Sequence, residues 1–214
     1  MLEFIPYLIT AGLYLAVAAE YWRKPVLSAS KARWQWDFSV IAIGLVLHGW
    51  LLYDTMFADG LNLGLTNALS AILWLTVLIY WLTDIQHKLH SLQAFVLPAA
   101  AVAVLLQKFV PTTLALPYAE QPLFMAHLII ALLAYSLFTF AALHALLMAV
   151  AERSLHNRTT WIKLPDFPPL LNMEKLLFRV IALGFALLTL TLVSGVLFSE
   201  ELFHQPMRFT HKNV

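Results

Sequence analysis

Residues 127–150, HLIIALLAYSLFTFAALHALLMAV, form an unbroken run without any Asp, Glu, Lys or Arg. At about 1.5 Å per residue, a helix of this length spans roughly 36 Å, more than the roughly 30 Å hydrocarbon core of a bilayer. Backbone polar groups in lipid must be hydrogen-bonded within the segment, so this run is predicted to be a transmembrane helix. It begins with a histidine, and a titratable side chain at membrane depth indicates a functional site.

The rest of the chain has the same apolar character. Of its 214 residues, 61% are hydrophobic and 12% are charged, whereas soluble domains carry about 25% charged residues. Six windows are apolar and long enough to span a bilayer: 2–22, 36–57, 63–83, 91–110, 123–151 and 176–198. We therefore predict an all-α, polytopic transmembrane bundle of about six spans, with one membrane domain over residues 1–214 and a long inner loop at 152–175.

The distribution of basic residues predicts the orientation, because Lys and Arg accumulate in cytoplasmic loops. With the N-terminus outside, ten of the thirteen basic residues fall on the inner side and only Lys108, Arg208 and Lys212 on the outer side. The first window has Glu3 and no Lys or Arg ahead of its apolar run, and its basic residues follow the run, which is the reverse of a signal peptide. We predict a retained first helix, both termini outside, and a location in a bacterial inner membrane.

Several function classes are disfavoured by the composition. The chain has no cysteine, which excludes a disulfide framework and covalent haem attachment through C-x-x-C-H within it. A net charge of +1 gives no support to nucleic-acid binding. Neither a G-x-S-x-G motif nor a phosphate-binding loop is present, and there are only seven glycines. We do not expect a turnover enzyme.

Two histidines are predicted to lie on the outer side. His127 is about one turn inside the outer end of the fifth span, and His211 is in the tail beyond the sixth. Two imidazoles on opposite faces satisfy six-coordinate haem iron, so both are candidate axial ligands of a non-covalent b-type haem. Arg208 and Lys212 would lie near the haem propionates, or are ordinary juxtamembrane charges.

Small side chains follow His127 along one face of its helix. They would let a flat macrocycle lie against the backbone, although small residues more often serve close helix packing. The strip consists of Ala131, Ala134, Phe138, Ala141, Ala142 and Ala145.

The remaining histidines have less specific interpretations. His48, near the middle of the second span with Gly44 one turn before it, either ligates a deeper haem or hydrogen-bonds across helices. His144 lies 17 residues after His127, about 25 Å along the helix, so the two cannot share an iron; it is predicted to snorkel or pack. Surface positions are predicted for His87, His90, His156 and His204.

The segment RWQWDF at residues 33–38 is similar to the W-x-W-D signature of some haem-presenting membrane proteins. The charge distribution puts it on the inner side, opposite His127 and His211. We interpret Trp34 and Trp36 as interfacial belt residues.

The last two spans resemble those of cytochrome c assembly proteins of the CcsA type, and within them the YpjD/HemX-like branch. The resemblance rests on His127 with Tyr135 eight residues later, on HGWLL from His48, on THK around His211 and on a pattern in the sixth span. That pattern comprises Arg179, Gly184, Phe185, Thr189, Ser194 and Gly195.

The resemblance implies haem handling or delivery at the outer face. It puts His127 at the position of an external haem-ligating histidine. His211 falls where the CcsA branch has a tryptophan-rich segment, which this chain lacks; the YpjD-like branch has a histidine there instead. Relatives continue into further membrane helices, so we expect a shortened form.

We predict a haem-handling component of cytochrome c biogenesis or haem delivery that binds b-type haem through His127 and His211, with His48 as a further candidate. Its expected partners are haem, other cytochrome c assembly membrane proteins and the lipid bilayer. One alternative is a haem-free membrane regulator or scaffold of tetrapyrrole synthesis acting through the inner loop. Another is a transmembrane electron-transfer cytochrome, for which His48 and His144 are the inner candidates.

Overall fold

The computed structural model describes residues 2–23, 31–58, 60–87, 90–116, 120–156 and 170–203. A short 3-10 helix, Leu2–Phe4, precedes the first of six α-helices. The helices are α1 (Ile5–Arg23), α2 (Lys31–Phe57), α3 (Leu65–His87), α4 (His90–Phe109), α5 (Pro122–His156) and α6 (Leu170–Phe203). The prediction of an all-α protein with six helices is confirmed.

Four of the helices in the described part of the chain are long and apolar enough to cross a membrane. These stretches are Gln35–Phe57, Leu65–Asp84, Pro122–Arg153 and Leu171–Val196. The apolar part of α4, Gln93–Phe109, is shorter. The chain is therefore a multi-pass membrane protein.

The helices α5 and α6 extend beyond the predicted spans. The inner loop was predicted at 152–175, but α5 continues to His156 and α6 already begins at Leu170. Charged residues such as Glu152, Arg153 and Lys175 end the apolar windows without ending the helices, because Glu, Arg and Lys are good helix formers. Residues 157–169, with their three prolines, lie outside the described residues.

Helices α1 to α4 form a closed four-helix bundle, in which each helix packs against two of the others. The contact between α1 and α4 is the most extensive of these, and Tyr21 of α1 donates a hydrogen bond to Gln93 Oε1 of α4 at 3.3 Å. Buried residues of α1 recur at spacings of three and four, the spacing of antiparallel helices packed with a small crossing angle. They include Tyr7, Ala11, Tyr14, Ala18 and Tyr21.

Helices α5 and α6 form an antiparallel hairpin attached to this bundle mainly through α3. His127 of α5 contacts Ser194 of α6, and His144 near the other end contacts Met173. Along α6, one row of buried or half-buried residues again recurs at spacings of three and four: Met173, Leu177, Val180, Gly184, Leu187, Thr191 and Ser194. The opposite face of α6 is exposed, as expected for a lipid-facing surface.

Two connecting loops pair at one end of the molecule. Leu63 N donates to Leu114 O and Leu116 N donates to Leu61 O, both at 2.9 Å. A Cβ atom at Gly64 would lie 2.0 Å from the Thr112 carbonyl oxygen, so only glycine permits this approach. The pairing joins the α2–α3 and α4–α5 connections at the end where α5 begins. We call this the loop end; it corresponds to the predicted outer side.

Candidate functional site

His127 lies in the second turn of α5, at the loop end, and is half-buried against α6. Its Nδ1 atom is 2.8 Å from Ser194 Oγ, and the Ser194 hydroxyl donates its proton to the Thr191 carbonyl oxygen at 3.0 Å. Because a hydroxyl has one proton, Ser194 Oγ accepts from the imidazole and Nδ1 is the protonated nitrogen. In the tautomer with this donor, the ring lone pair is on Nε2.

This tautomer is the one that metal-bound histidines use. Such histidines commonly donate their other ring N–H to a protein oxygen, which fixes the ring orientation and raises ligand basicity. Ser194 supplies that oxygen here. Gly195 also lies beside the ring, and a Cβ atom there would be 3.5 Å from His127 Cε1. The seam between α5 and α6 thus holds the His127 ring in a defined orientation.

The predicted strip of small residues below His127 is largely covered by α6. Ala134 and Ala141 are buried, and a Cβ atom at Gly184 would lie 3.5 Å from the ring of Phe138. Ala142 and Ala145 are exposed, but Ala142 is 15 residues and about 22 Å beyond His127. In this structure the strip serves helix packing, and a ring ligated by His127 would have to lie nearer the loop end.

His48 is fully buried at the centre of the four-helix bundle. Its Nε2 atom is 2.8 Å from Ser70 Oγ, and Ser70 donates its own proton to Gln107 Oε1 at 3.1 Å. Nε2 is therefore the donor, so Nδ1 accepts from the Tyr14 hydroxyl at 3.4 Å. Both ring nitrogens therefore have protein partners, as expected if His48 forms hydrogen bonds across helices. A haem-ligand role for His48 stays a prediction.

The hydrogen bonds of His48 continue toward the loop end. The Gln107 amide group donates to Thr55 Oγ1 and to Asn67 Oδ1 at 3.1 Å. Asn67 in turn donates to the Asn62 carbonyl oxygen at 3.1 Å. This chain, from Tyr14 to Asn62, is the polar network of the bundle. It links α1, α2, α3 and α4 through directional contacts.

His144 is also fully buried, so it packs and does not snorkel. Its Nε2–H donates to the Met173 carbonyl oxygen at 3.0 Å, and its ring stacks on Phe140 with centroids 5.7 Å apart. Phe140 stacks in turn on Tyr80 of α3 at 4.0 Å. The aromatic stack of Tyr80, Phe140 and His144 therefore connects α3 through α5 to α6.

The structure does not bring together all of the predicted site. His211, Arg208, Lys212 and His204 lie outside the described residues. Among the described residues, no group of three or more His, Asp or Glu side chains could hold a metal ion; axial ligation of haem requires no such group.

The RWQWDF segment lies in the first turns of α2, at the opposite end of the bundle from His127. Its Trp36 is 68% exposed, consistent with a belt residue. Sequence reasoning did not identify the partners that orient the two histidines, Ser194 and Ser70, or the amide of Gln107. The sequence feature that could have indicated these partners is the presence of polar residues inside otherwise apolar spans.

Comparison with known proteins identifies a family whose profile matches this chain. The profile of the family described as Cytochrome C assembly protein matches residues 36–214. The curated relatives include the inner membrane protein YpjD of Escherichia coli strain K12 and its counterparts in E. coli O6:H1 and O157:H7. Each is 27% identical over 164 residues, which are 75% of this chain and 62% of the relative. The match thus spans less than two thirds of those proteins. No solved structure matches the chain.

Proposed function

The chain belongs to the cytochrome c assembly protein family, and on this premise we propose that it is a haem-handling membrane protein. It binds haem non-covalently near the loop end, with His127 as an axial ligand. The observation that carries the proposal is the hydrogen bond from His127 to Ser194 at 2.8 Å. That bond leaves the ring lone pair on Nε2 and fixes the ring against α6.

The donor set of this chain is suited to a b-type haem. There are no cysteines to form thioether bonds, so the macrocycle is held by axial ligation and apolar contact. His211 is the proposed second ligand, and Arg208 the proposed partner of a propionate. When bound, haem supplies an iron that accepts two imidazoles. The protein supplies the ring tautomer, the ring orientation and the apolar surroundings.

We further propose that the protein is a component of cytochrome c biogenesis or haem delivery, and that it is not a turnover enzyme. The matched relatives are described as inner membrane proteins, which supports a bacterial inner membrane location for this chain. The excess of basic residues on one side supports an orientation with both termini and the loop end outside.

A transmembrane electron-transfer cytochrome is less well supported than a single site at the loop end. It requires inner ligands, for which His48 and His144 are the candidates. His48 is engaged at both nitrogens by Tyr14 and Ser70, and His144 by Met173 at Nε2. Ligation through either nitrogen of His48, or through Nε2 of His144, would break buried hydrogen bonds, at a cost of roughly 1–3 kcal/mol for each group left unsatisfied; Nδ1 of His144 is buried without a hydrogen-bond partner among the described residues.

The test is the reduced-minus-oxidised absorption spectrum of detergent-purified protein loaded with haem. We compare the wild type with His127→Ala and His211→Ala, and use His90→Ala as a control outside the proposed site. The wild type and the control are expected to show a b-type spectrum that both ligand variants lose or shift. Adding imidazole to His127→Gly should restore the spectrum if the variant is folded. The absence of haem from the wild type, or unchanged spectra in both ligand variants, would contradict the proposal.

A further inference from the structure

A cavity of about 340 Å³ lies between the four-helix bundle and the hairpin. Helix α3 forms its floor, and α2 and α5 form its walls. Its volume is near the lower end of the range of roughly 300–1,000 Å³ for small-molecule sites. It is lined by Gly49, Leu52, Tyr53, Met56, Phe57, Ala71, Trp74, Leu75, Ile129, Leu132 and Leu133.

The cavity is separate from the proposed haem site. Its α5 residues, Ile129, Leu132 and Leu133, lie about 140° to 240° around the helix from His127 at about 100° per residue. His127 faces α6 through Ser194, whereas these residues face α2 and α3. A ligand in this cavity cannot be the haem that His127 is proposed to bind, so the inference does not depend on that function.

The lining specifies the chemistry of the ligand. No charged side chain is among the residues that line it, so haem propionates would have no partner. The indole N–H of Trp74 is already donated to the Leu45 carbonyl oxygen at 2.8 Å. Apart from Trp74, Tyr53 has the one polar side chain among the residues that line the cavity. A quinone ring with two carbonyl oxygens would therefore be left largely without hydrogen bonds. The lining is complementary to a hydrocarbon chain.

The shape of the cavity indicates where such a chain comes from. Toward the loop end, Leu61, Leu63 and Leu116 pack with Leu52 and Met56 into one apolar cluster, which separates the cavity from the loop surface. Tyr53 and Ile129, which are 67% and 53% exposed, stand at its lateral mouth. The mouth is continuous with the exposed apolar faces of α2 and α5, which face lipid in a membrane.

The length of the cavity corresponds to one leaflet. The part of α2 that lines the cavity, from Gly49 to Phe57, is about 12 Å long. Half of the hydrocarbon core of a bilayer is about 15 Å. A chain entering sideways from the leaflet at the loop end would fill the gap between α2 and α5, while its headgroup stays at the membrane surface.

We propose that this cavity binds one acyl chain of a phospholipid from the leaflet at the loop end. The chain occupies the space between α2 and α5 and completes the contact between the bundle and the hairpin. Trp74 lies in the cavity floor and therefore reports on occupancy. Trp50, one residue beyond Gly49, is 55% exposed and reports on the surrounding lipid or detergent.

The experiment titrates haem-free full-length protein in detergent with a phosphatidylcholine brominated in the middle of its acyl chains, which quenches tryptophan on contact. The contributions of Trp74 and Trp50 are obtained by difference, from Trp74→Phe and Trp50→Phe. Quenching of Trp74 is expected to saturate near one lipid per protein, and quenching of Trp50 to rise without saturation. Ala71→Phe, which fills the cavity, should raise the lipid concentration for half-quenching of Trp74 about ten-fold or more.

Ala142→Phe is the matched control, because Ala142 is exposed on α5 away from the cavity; its saturation should equal that of the wild type. The wild-type titration decides the question even if Ala71→Phe does not fold. Non-saturating quenching of Trp74, as for Trp50, would overturn the proposal. Displacement of the lipid by haem, or by a quinone without an isoprenoid tail, would also overturn it, since it would indicate a site for a ring.

Discussion

At the scale of single residues, His127 and His48 differ in how their ring nitrogens are used. His48 donates from Nε2 to Ser70 and accepts at Nδ1 from Tyr14, so its hydrogen bonds lie within the bundle. His127 donates from Nδ1 to Ser194, which leaves the lone pair on the nitrogen that iron ligation requires. Both histidines lie within apolar runs of the sequence. Which of their ring nitrogens carries the proton is nevertheless set by serines on other helices.

Replacing Ser194 tests whether this hydrogen bond matters for haem binding. Ser194→Ala keeps His127 but removes the acceptor of its Nδ1–H, and we expect the dissociation constant for haem to rise about 10- to 100-fold. The b-type spectrum should persist at saturating haem. Haem titration followed at the Soret band measures the change.

Thr189→Val provides the control for this prediction. Thr189 is also on α6, and its exposed hydroxyl donates to the Phe185 carbonyl oxygen at 2.9 Å. Its replacement should leave the dissociation constant unchanged. Equal haem affinity in Ser194→Ala and the wild type would show that the Ser194 contact does not support a ligand.

At the scale of helices, glycines mark two contacts of different closeness. At Gly44 of α2, an added Cβ atom would lie 2.7 Å from Cε1 of Tyr14, whose ring is fully buried and whose hydroxyl is bonded to His48. At Gly184 of α6, the nearest atom would be Leu137 Cβ at 3.4 Å, an ordinary van der Waals distance. The bundle therefore has no space for an added methyl group at Gly44, whereas the contact between α5 and α6 has space for one at Gly184.

This difference predicts opposite effects of the same substitution. Gly44→Ala should lower the free energy of unfolding by about 1–3 kcal/mol, because Tyr14 must move and its hydrogen bond to His48 is lost. Gly184→Ala should leave stability unchanged or raise it by up to about 1 kcal/mol through helix propensity. Unfolding by SDS in mixed micelles, followed by far-ultraviolet circular dichroism, measures both. Similar losses in both variants would refute this account.

At the scale of the whole molecule, a four-helix bundle and a two-helix hairpin meet mainly along α3 and α5. The bundle is joined internally by the polar network. The hairpin is attached by the aromatic stack of Tyr80, Phe140 and His144. In addition, the Thr76 hydroxyl, which donates to the Ile72 carbonyl oxygen at 2.7 Å, lies 3.3 Å from the Ser136 carbonyl oxygen. The proposed acyl chain lies beside this same boundary. Apolar side chains of the hairpin, among them Leu137, Ala141 and Leu147, also belong to the same buried core as the bundle.

Truncating the central ring of the stack should weaken this attachment. Phe140 is fully buried, so Phe140→Ala is expected to reduce the free energy of unfolding by roughly 3–5 kcal/mol. Phe185→Ala serves as the control, since Phe185 is 65% exposed on the outer face of α6; its effect should stay within about 0.5 kcal/mol. Unfolding by SDS again provides the measurement. A small effect of Phe140→Ala would mean that the hairpin is held by other contacts.

The candidate role of His127 rests on the family resemblance and stays a prediction. The membrane class of the protein and its six helices could be predicted from the sequence, because they follow from local properties. Long runs such as 127–150 cannot be solvated by water, and their backbone hydrogen bonds can only be satisfied within a helix. The family-like pattern in the sixth span included Ser194 and Gly195, which lie against the His127 ring. The sequence could not predict the helix ends at His156 and Leu170, because a helix continues wherever its residues permit, beyond the limits of the bilayer.

The assembled fold decides which polar side chains meet, and no sequence pattern reveals it. His48 and Ser70 are 22 residues apart, and Ser70 and Gln107 are 37 apart; neither separation has a periodicity that a sequence pattern can reveal. It also decided that α6 covers the alanine strip, and that a cavity remains between α2 and α5. Lipid solvates all apolar faces of a membrane helix alike. The choice between lipid and another helix is therefore made by shape and by hydrogen-bond partners, which exist only once the helices are assembled.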